Sequence, residues 1–295
     1  MRVLSEQDWH CQSRNLKKRI DGKLRKYFTN RSQSTKNPIV DFLFEYYSFR
    51  FAELKCWSPG VGVILTGEST QSFLKNPMYK KMGKGVTLDT DQISIKRQNS
   101  IKWIIDLLER TKERTAYLGC LGLHEWAMVY KQQKTRHNIS LRMTPTQIQH
   151  FVENSSICCS HYDAYRFFTK EAINFNELKP TKQTRHQYEQ PGCLHTNMDL
   201  YKWAHKFYPW INSELIADTF ELAWEIREVD MRASPYDIQH LGYKPILIET
   251  SEGRQQYIAF QKEFSNKAAP LRQRLIDEYQ KLLQMLNYDF AKTKA

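Results

Sequence analysis

Four strings in this chain set ionisable side chains among apolar and aromatic neighbours. Leu-Gly-Leu-His-Glu-Trp-Ala-Met-Val carries His124 and Glu125, and Cys-Cys-Ser-His-Tyr-Asp-Ala-Tyr-Arg-Phe-Phe carries His161 and Asp163. Gly-Cys-Leu-His-Thr-Asn-Met-Asp-Leu-Tyr-Lys-Trp carries Cys193, His195, Asn197 and Asp199, with Glu189 and Gln190 just before it. Val-Asp-Met-Arg-Ala-Ser-Pro-Tyr-Asp carries Asp230, Arg232, Tyr236 and Asp237. Burying such groups costs several kcal/mol unless each is paired or hydrogen-bonded. Repetition of that costly pattern points to one convergent polar site between Gly122 and Asp237.

The spacings suggest several chemistries. His195 and Asp199 are four apart, so on a helix they share a face and could form the imidazole–carboxylate pair that orients a general base or supports a metal-bound histidine. His161 and Asp163 are two apart; either the backbone there is extended or only one of them reaches the site. His124 and Glu125 are adjacent and diverge by about 100° on a helix. Thiolate and imidazole together favour zinc or iron, and His124, His161, Cys193 and His195 are the candidate ligands. The chain has no Cys-x-x-Cys, His-Glu-x-x-His or Glu-x-x-His string. A carboxylate route also exists: cleavage of a glycosidic bond needs an acid or base near the bond and negative charge beside an oxocarbenium-like centre. For that route His161, Asp163, His195, Asp199 and Asp230 are the catalytic candidates, and no cofactor is required. Glu125, Glu189, Gln190, Asn197, Arg232, Tyr236 and Asp237 are the candidate substrate contacts.

The formal charge of +12 favours an anionic partner, such as DNA or a nucleoside. Much of the excess lies before residue 60, where Lys17, Lys18, Arg19 and Arg25 are candidate phosphate contacts. The run from Tyr46 through Arg50 and Lys55 to Trp57 adds aromatic faces that stack on bases, although core packing uses the same residues. Six cysteines without the spacing of a disulfide framework, no leader-like apolar start and no apolar run near twenty residues argue for a reduced cytoplasm and against a membrane span.

The elements that must position these residues read as mainly α: a compact helical domain with a few short strands or hairpin elements in the N-terminal third. A basic amphipathic helix is expected over residues 5–30, with Leu16, Ile20, Leu24 and Phe28 on one stripe, then a loop to Pro38. The aromatic run from Asp41 to Phe51 suits helix or strand. Val61–Thr66 reads as a strand, and Tyr79–Asp91 as a hairpin or exposed loop. Helices are expected over 101–114, over 116–134 with interruptions at Gly119 and Gly122, from an N-cap at Thr144 to Val152, over 158–168, 197–207 and 212–231. Residues 172–193 read as a long ordered loop, Pro245–Glu249 as a short strand, and 256–286 as two helices separated near Pro270. These divide into a basic helix and loop (1–38), one mainly helical domain (39–286, with a possible subdivision near 100) and a tail (287–295).

The strings Leu123–Tyr130, Glu189–His195, Asn197–Ala204 and Asp230–Asp237 resemble those of a bacterial family whose members are frequently labelled 3-methyladenine DNA glycosylase. The resemblance extends over most of the chain from Asp41 onward. It implies hydrolysis of the N-glycosidic bond of a modified DNA base or related nucleoside, with Asp199 or Asp230 stabilising positive charge or orienting water and His195 or His161 handling a proton. The glycine-rich hairpin of helix–hairpin–helix glycosylases has no counterpart here, so no residue role carries over. Two readings stand beside it: a zinc- or iron-dependent enzyme acting on a small molecule, and a non-enzymatic protein that binds nucleic acid or a partner through its basic N-terminus.

Overall fold

The computed structural model describes residues 1–31, 37, 39–132, 135 and 139–292, with the backbone only at 26–31 and 288–292. It is mainly α-helical, and its sheet is confined to the N-terminal third. The order runs β1 (Arg2–Leu4), α1 (Glu6–Arg31), α2 (Val40–Tyr47), α3 (Phe51–Leu54), β2 (Val63–Leu65), β3 (Tyr79–Met82), β4 (Gly85–Leu88) and α4 (Ile95–Glu113). It continues through α5 (Leu123–Val129), α6 (Pro145–Glu153), α7 (Tyr162–Tyr165), α8 (Arg185–Tyr188), α9 (Leu194–Lys206), α10 (Ser213–Ala233) and α11 (Ser251–Lys292). Short 3-10 turns join several of them. Two compact units form: Met1–Leu108 with Leu200–Glu221 and Leu271–Ala295, and Glu109–Asp199 with Leu222–Pro270.

In the first unit the strands lie in the order β1-β2-β4-β3, with β1 parallel to β2 and the other pairs antiparallel. Gly83, at φ +57°, closes the β3–β4 hairpin with two residues between the strands. Leu16, Ile20 and Leu24 form the buried stripe of α1; the side chain of Phe28, the loop residues 32–36 and Pro38 lie outside the described residues. The aromatic run resolves as helix, because Val40, Leu43, Phe44 and Tyr47 bury one face at helical spacing while Phe44 and Tyr47 pack on Phe220 and Tyr201.

In the second unit α6 starts as its sequence predicts. Thr144 accepts from Gln147 N, Gln147 returns to Thr144 N, and Pro145 takes the first helical position. The helix expected over 116–134 shrinks to α5, because Leu121 (φ +50°), Gly122 (φ +68°) and Lys131 (φ +54°) take left-handed backbone that ends a right-handed helix at both sides. The helix expected over 158–168 is only α7, preceded by extended backbone at His161. Pro245–Glu249 joins no strand: Ile246 N donates to Arg232 O, and Ile248 and Thr250 turn back on Ile246 and Leu247. The anticipated break at Pro270 is also absent. Pro270 is exposed, while Tyr257, Phe264 and Ala268 before it and Leu275, Tyr279 and Leu282 after it keep one buried stripe in helical register. Burial along that stripe outweighs the roughly 3 kcal/mol that an interior proline costs.

Candidate metal centre

The second unit gathers the polar strings at one end of α5. His124 and Glu125, neighbours on that helix, diverge as their spacing requires, yet both meet α10, because Arg227 and Asp230 lie one turn apart on it. The Arg227 Nη1 donates to Glu125 Oε1 at 2.9 Å and to Asp230 Oδ2 at 2.6 Å. His124 Nε2 is 3.4 Å from Asp230 Oδ1. From the first turn of α9, His195 brings its Nε2 to 3.9 Å from Asp230 Oδ2 and meets the His124 ring edge-on at 4.3 Å between centroids.

These groups are sealed from water: His124, Asp230 and Arg227 are 1%, 1% and 0% exposed, and His195 is 8%. One ligand atom from each of His124, His195 and Asp230 lies within 4.8 Å of the other two. This buried His/His/Asp cluster is capable of holding a metal ion. Two of its atoms, His124 Nε2 and Asp230 Oδ1, have no hydrogen-bond partner although both are buried.

The electrostatics follow from that burial. Desolvation opposes the charged His124 ring, but the Asp230 charge, with Cys120 and Glu125, outweighs it and holds the imidazolium up to about 10. His195 moves the other way, well below the ordinary histidine value, through burial and then the neighbouring His124 charge. Burial acts against the Asp230 carboxylate too, yet His124, His195 and Arg227 hold it well below the usual range. Burial pushes the Cys193 thiol up to about 12.

A second polar group adjoins the first, its His161 ring 5.5 Å from that of His195. The extended backbone at His161 aims its Nε2 at Asp199 Oδ2 (3.3 Å) and Glu189 Oε1 (3.8 Å). Asp163, two residues on, points instead to Arg185 and Arg166. The ordered stretch 172–193 supplies Arg185 and Glu189, and Gln190 serves as a brace: its side chain accepts from Tyr117 N and Gly192 N and donates to Tyr117 O. Asn197 likewise donates to Pro191 O, closing the turn before α9.

Of the four candidate ligands, His124 and His195 belong to the group that could hold a metal ion; His161 and Cys193 fall outside it, and Asp230 completes it. Arg232 donates to Lys244 O and lies over the Phe260 ring, Asp237 accepts from Gln239 N, and Tyr236 is buried where its strand-like bridge meets Leu141. In the first unit, Arg19 is held by Glu214, Asp218 and Glu221, and Lys55 pairs with Asp21. Trp57 is buried against Trp9. Lys17, Lys18, Arg25 and Arg50 are exposed. Sequence reading missed Arg227, whose signal was its three-residue spacing from Asp230, and Tyr257, which packs against Gly122.

Neither a protein-family model, nor a curated protein, nor a solved structure matches the chain. Among the described residues no helix is long and apolar enough to cross a membrane.

Proposed function

We propose that the protein is a metal-dependent enzyme acting on a small molecule, with His124, His195 and Asp230 as protein ligands of a zinc or iron ion. One observation carries the reading: ligand atoms from two histidines and one carboxylate converge within 4.8 Å, and His124 Nε2 and Asp230 Oδ1 are buried there without a hydrogen-bond partner. The two atoms face each other at 3.4 Å without a well-formed hydrogen bond, and coordination to a cation between them would satisfy both. Two imidazoles and a carboxylate suit zinc or ferrous iron, and three protein ligands leave positions for water or substrate. The Arg227 and Glu125 pair supplies the outer hydrogen bonding that fixes the Asp230 carboxylate.

The same contacts weigh against N-glycosidic hydrolysis. That reaction needs a carboxylate turned to the sugar, whereas Asp230 is engaged by Arg227 and faces both histidines, and Asp199 faces His161. Among the described residues the helices include no helix–hairpin–helix element of the glycosylase kind. The enclosure of the cluster favours a small substrate over a duplex. Elemental analysis of protein purified without chelator tests the proposal: about one equivalent of zinc or iron per chain is expected, falling sharply in His195→Ala and Asp230→Asn. Stoichiometric metal in neither the purified nor the reconstituted protein would overturn it.

A further inference from the structure

Two cavities of the second unit meet on the surface beside α6. The larger, about 530 Å³, is walled in part by Phe151 and Glu249, and the smaller, about 150 Å³, is lined in part by Leu123, the residue bonded to His124. Asn154, Ser155 and Arg254 line both, so they form one cleft with Arg254 at its junction. Its combined size is that of a small-molecule site.

Arg254 is fixed without being used up. Its Nε donates to Ile248 O at 2.9 Å, and its guanidinium lies over the Phe151 ring, 6.0 Å from the centroid. The residue is exposed, and among the described residues no carboxylate forms a salt bridge with it. Glu249, which would otherwise oppose an anion, is already held by the two terminal nitrogens of Arg142. A guanidinium anchored through Nε and resting on an aromatic face presents its remaining N–H groups as a fork for two oxygens of one anion.

We infer that this cleft binds a small molecule through a carboxylate or phosphate group seated on Arg254, with the remainder of the molecule lying along Phe151 and reaching toward Leu123. The inference rests on the metal-enzyme reading only in assigning that molecule as the substrate; the anion seat is made of protein groups alone.

The test is calorimetric titration of the full chain with phenyl phosphate and with benzoate, on chelator-treated and on zinc-supplemented protein. Saturable one-site binding of at least one probe is expected in both preparations, weakened at least about tenfold in Arg254→Gln. Arg254→Lys, which keeps the charge and loses the fork, should fall between the two and guards against a fold defect in the glutamine variant. No saturable binding of either probe, or equal binding by wild type and both variants, which would mean an adventitious anion only, overturns the inference. The two arms of the metal treatment separate it from the metal reading: binding that depends on Arg254 in protein that takes up no zinc sustains the cleft and sinks the metal enzyme.

Discussion

His124 Nε2 and Asp230 Oδ1 lie 3.4 Å apart in the interior of the second unit, an ion pair whose geometry falls short of a hydrogen bond. Without a metal, the proton that keeps the His124 ring charged is held there by Asp230 against the cost of burial. A cation entering between them must displace that proton. Zinc affinity should therefore rise with pH, approaching tenfold per unit below about 10, where His124 is held. Chelator competition at a series of pH values measures this, and a flat profile would contradict the role of His124 as a ligand.

The same proton sets a pH dependence of stability in the metal-free state. The folded-state value of His124 lies above that of an unfolded histidine. Its contribution is thus complete below about pH 6.5 and is lost as pH rises through about 10. Urea unfolding in the presence of chelator should show stability falling across that window, and zinc-loaded protein should not share the fall. Rising stability in metal-free protein over the same range would be the wrong sign.

Arg227 is fully buried between Glu125 and Asp230. Removing one member of such a group leaves its buried neighbours charged and under-compensated, so Asp230→Asn or Arg227→Met should each lower unfolding stability by about 3–5 kcal/mol. A double variant that replaces both Arg227 and Glu125 with methionine should lose less than the sum of the two single changes, because they share partners. Additive losses would mean that the group does not act as a unit.

Gly122 opens α5 at φ +68°, and a Cβ added there would stand 2.9 Å from the Tyr257 hydroxyl. Gly122→Ala should cost roughly 1–2 kcal/mol from the left-handed backbone, with a further loss from displacing Tyr257. Thermal melting of the variant reads the sum. Zinc binding should weaken along with it, since His124 sits two residues into the helix that Gly122 begins.

Arg19 and its neighbours on α1 should separate by role. Arg19→Met removes contacts to Glu214, Asp218 and Glu221 and should lower stability by roughly 1 kcal/mol. Lys17→Gln, Lys18→Gln and Arg25→Gln together should cost less stability than Arg19→Met, because those side chains are exposed. If the basic helix binds DNA, only the triple change should reduce the salt dependence of that binding.

Local rules made much of this fold legible. Thr144, Pro145 and Gln147 announce α6 because a capping box is a three-residue device, and Leu16, Ile20 and Leu24 mark the buried side of α1 by period alone. Elsewhere tertiary contacts override local preference. Pro270 suggested a break, but burial on both sides of it maintains one helix. In the site, His124, His195 and Asp230 were visible as residue types in apolar surroundings. Their mutual distances were not, since His124 and His195 lie 71 positions apart in the chain and only packing brings them together. Arg227 was hidden for another reason: within the glutamate-rich face of α10 it resembles an ordinary surface cation, and nothing local distinguishes one that is fully enclosed.

That enclosure also bears on time. A cation seated between side chains that are 1–8% exposed can leave only when the surrounding helices part, so its escape is governed by the frequency of local opening and not by affinity alone. Metal exchange would then be slow, and chelator competition or reconstitution would reach equilibrium only over times long enough for the site to open. Refolding from denaturant in zinc or in anaerobic ferrous iron would yield two populations that persist side by side when the buffers are exchanged.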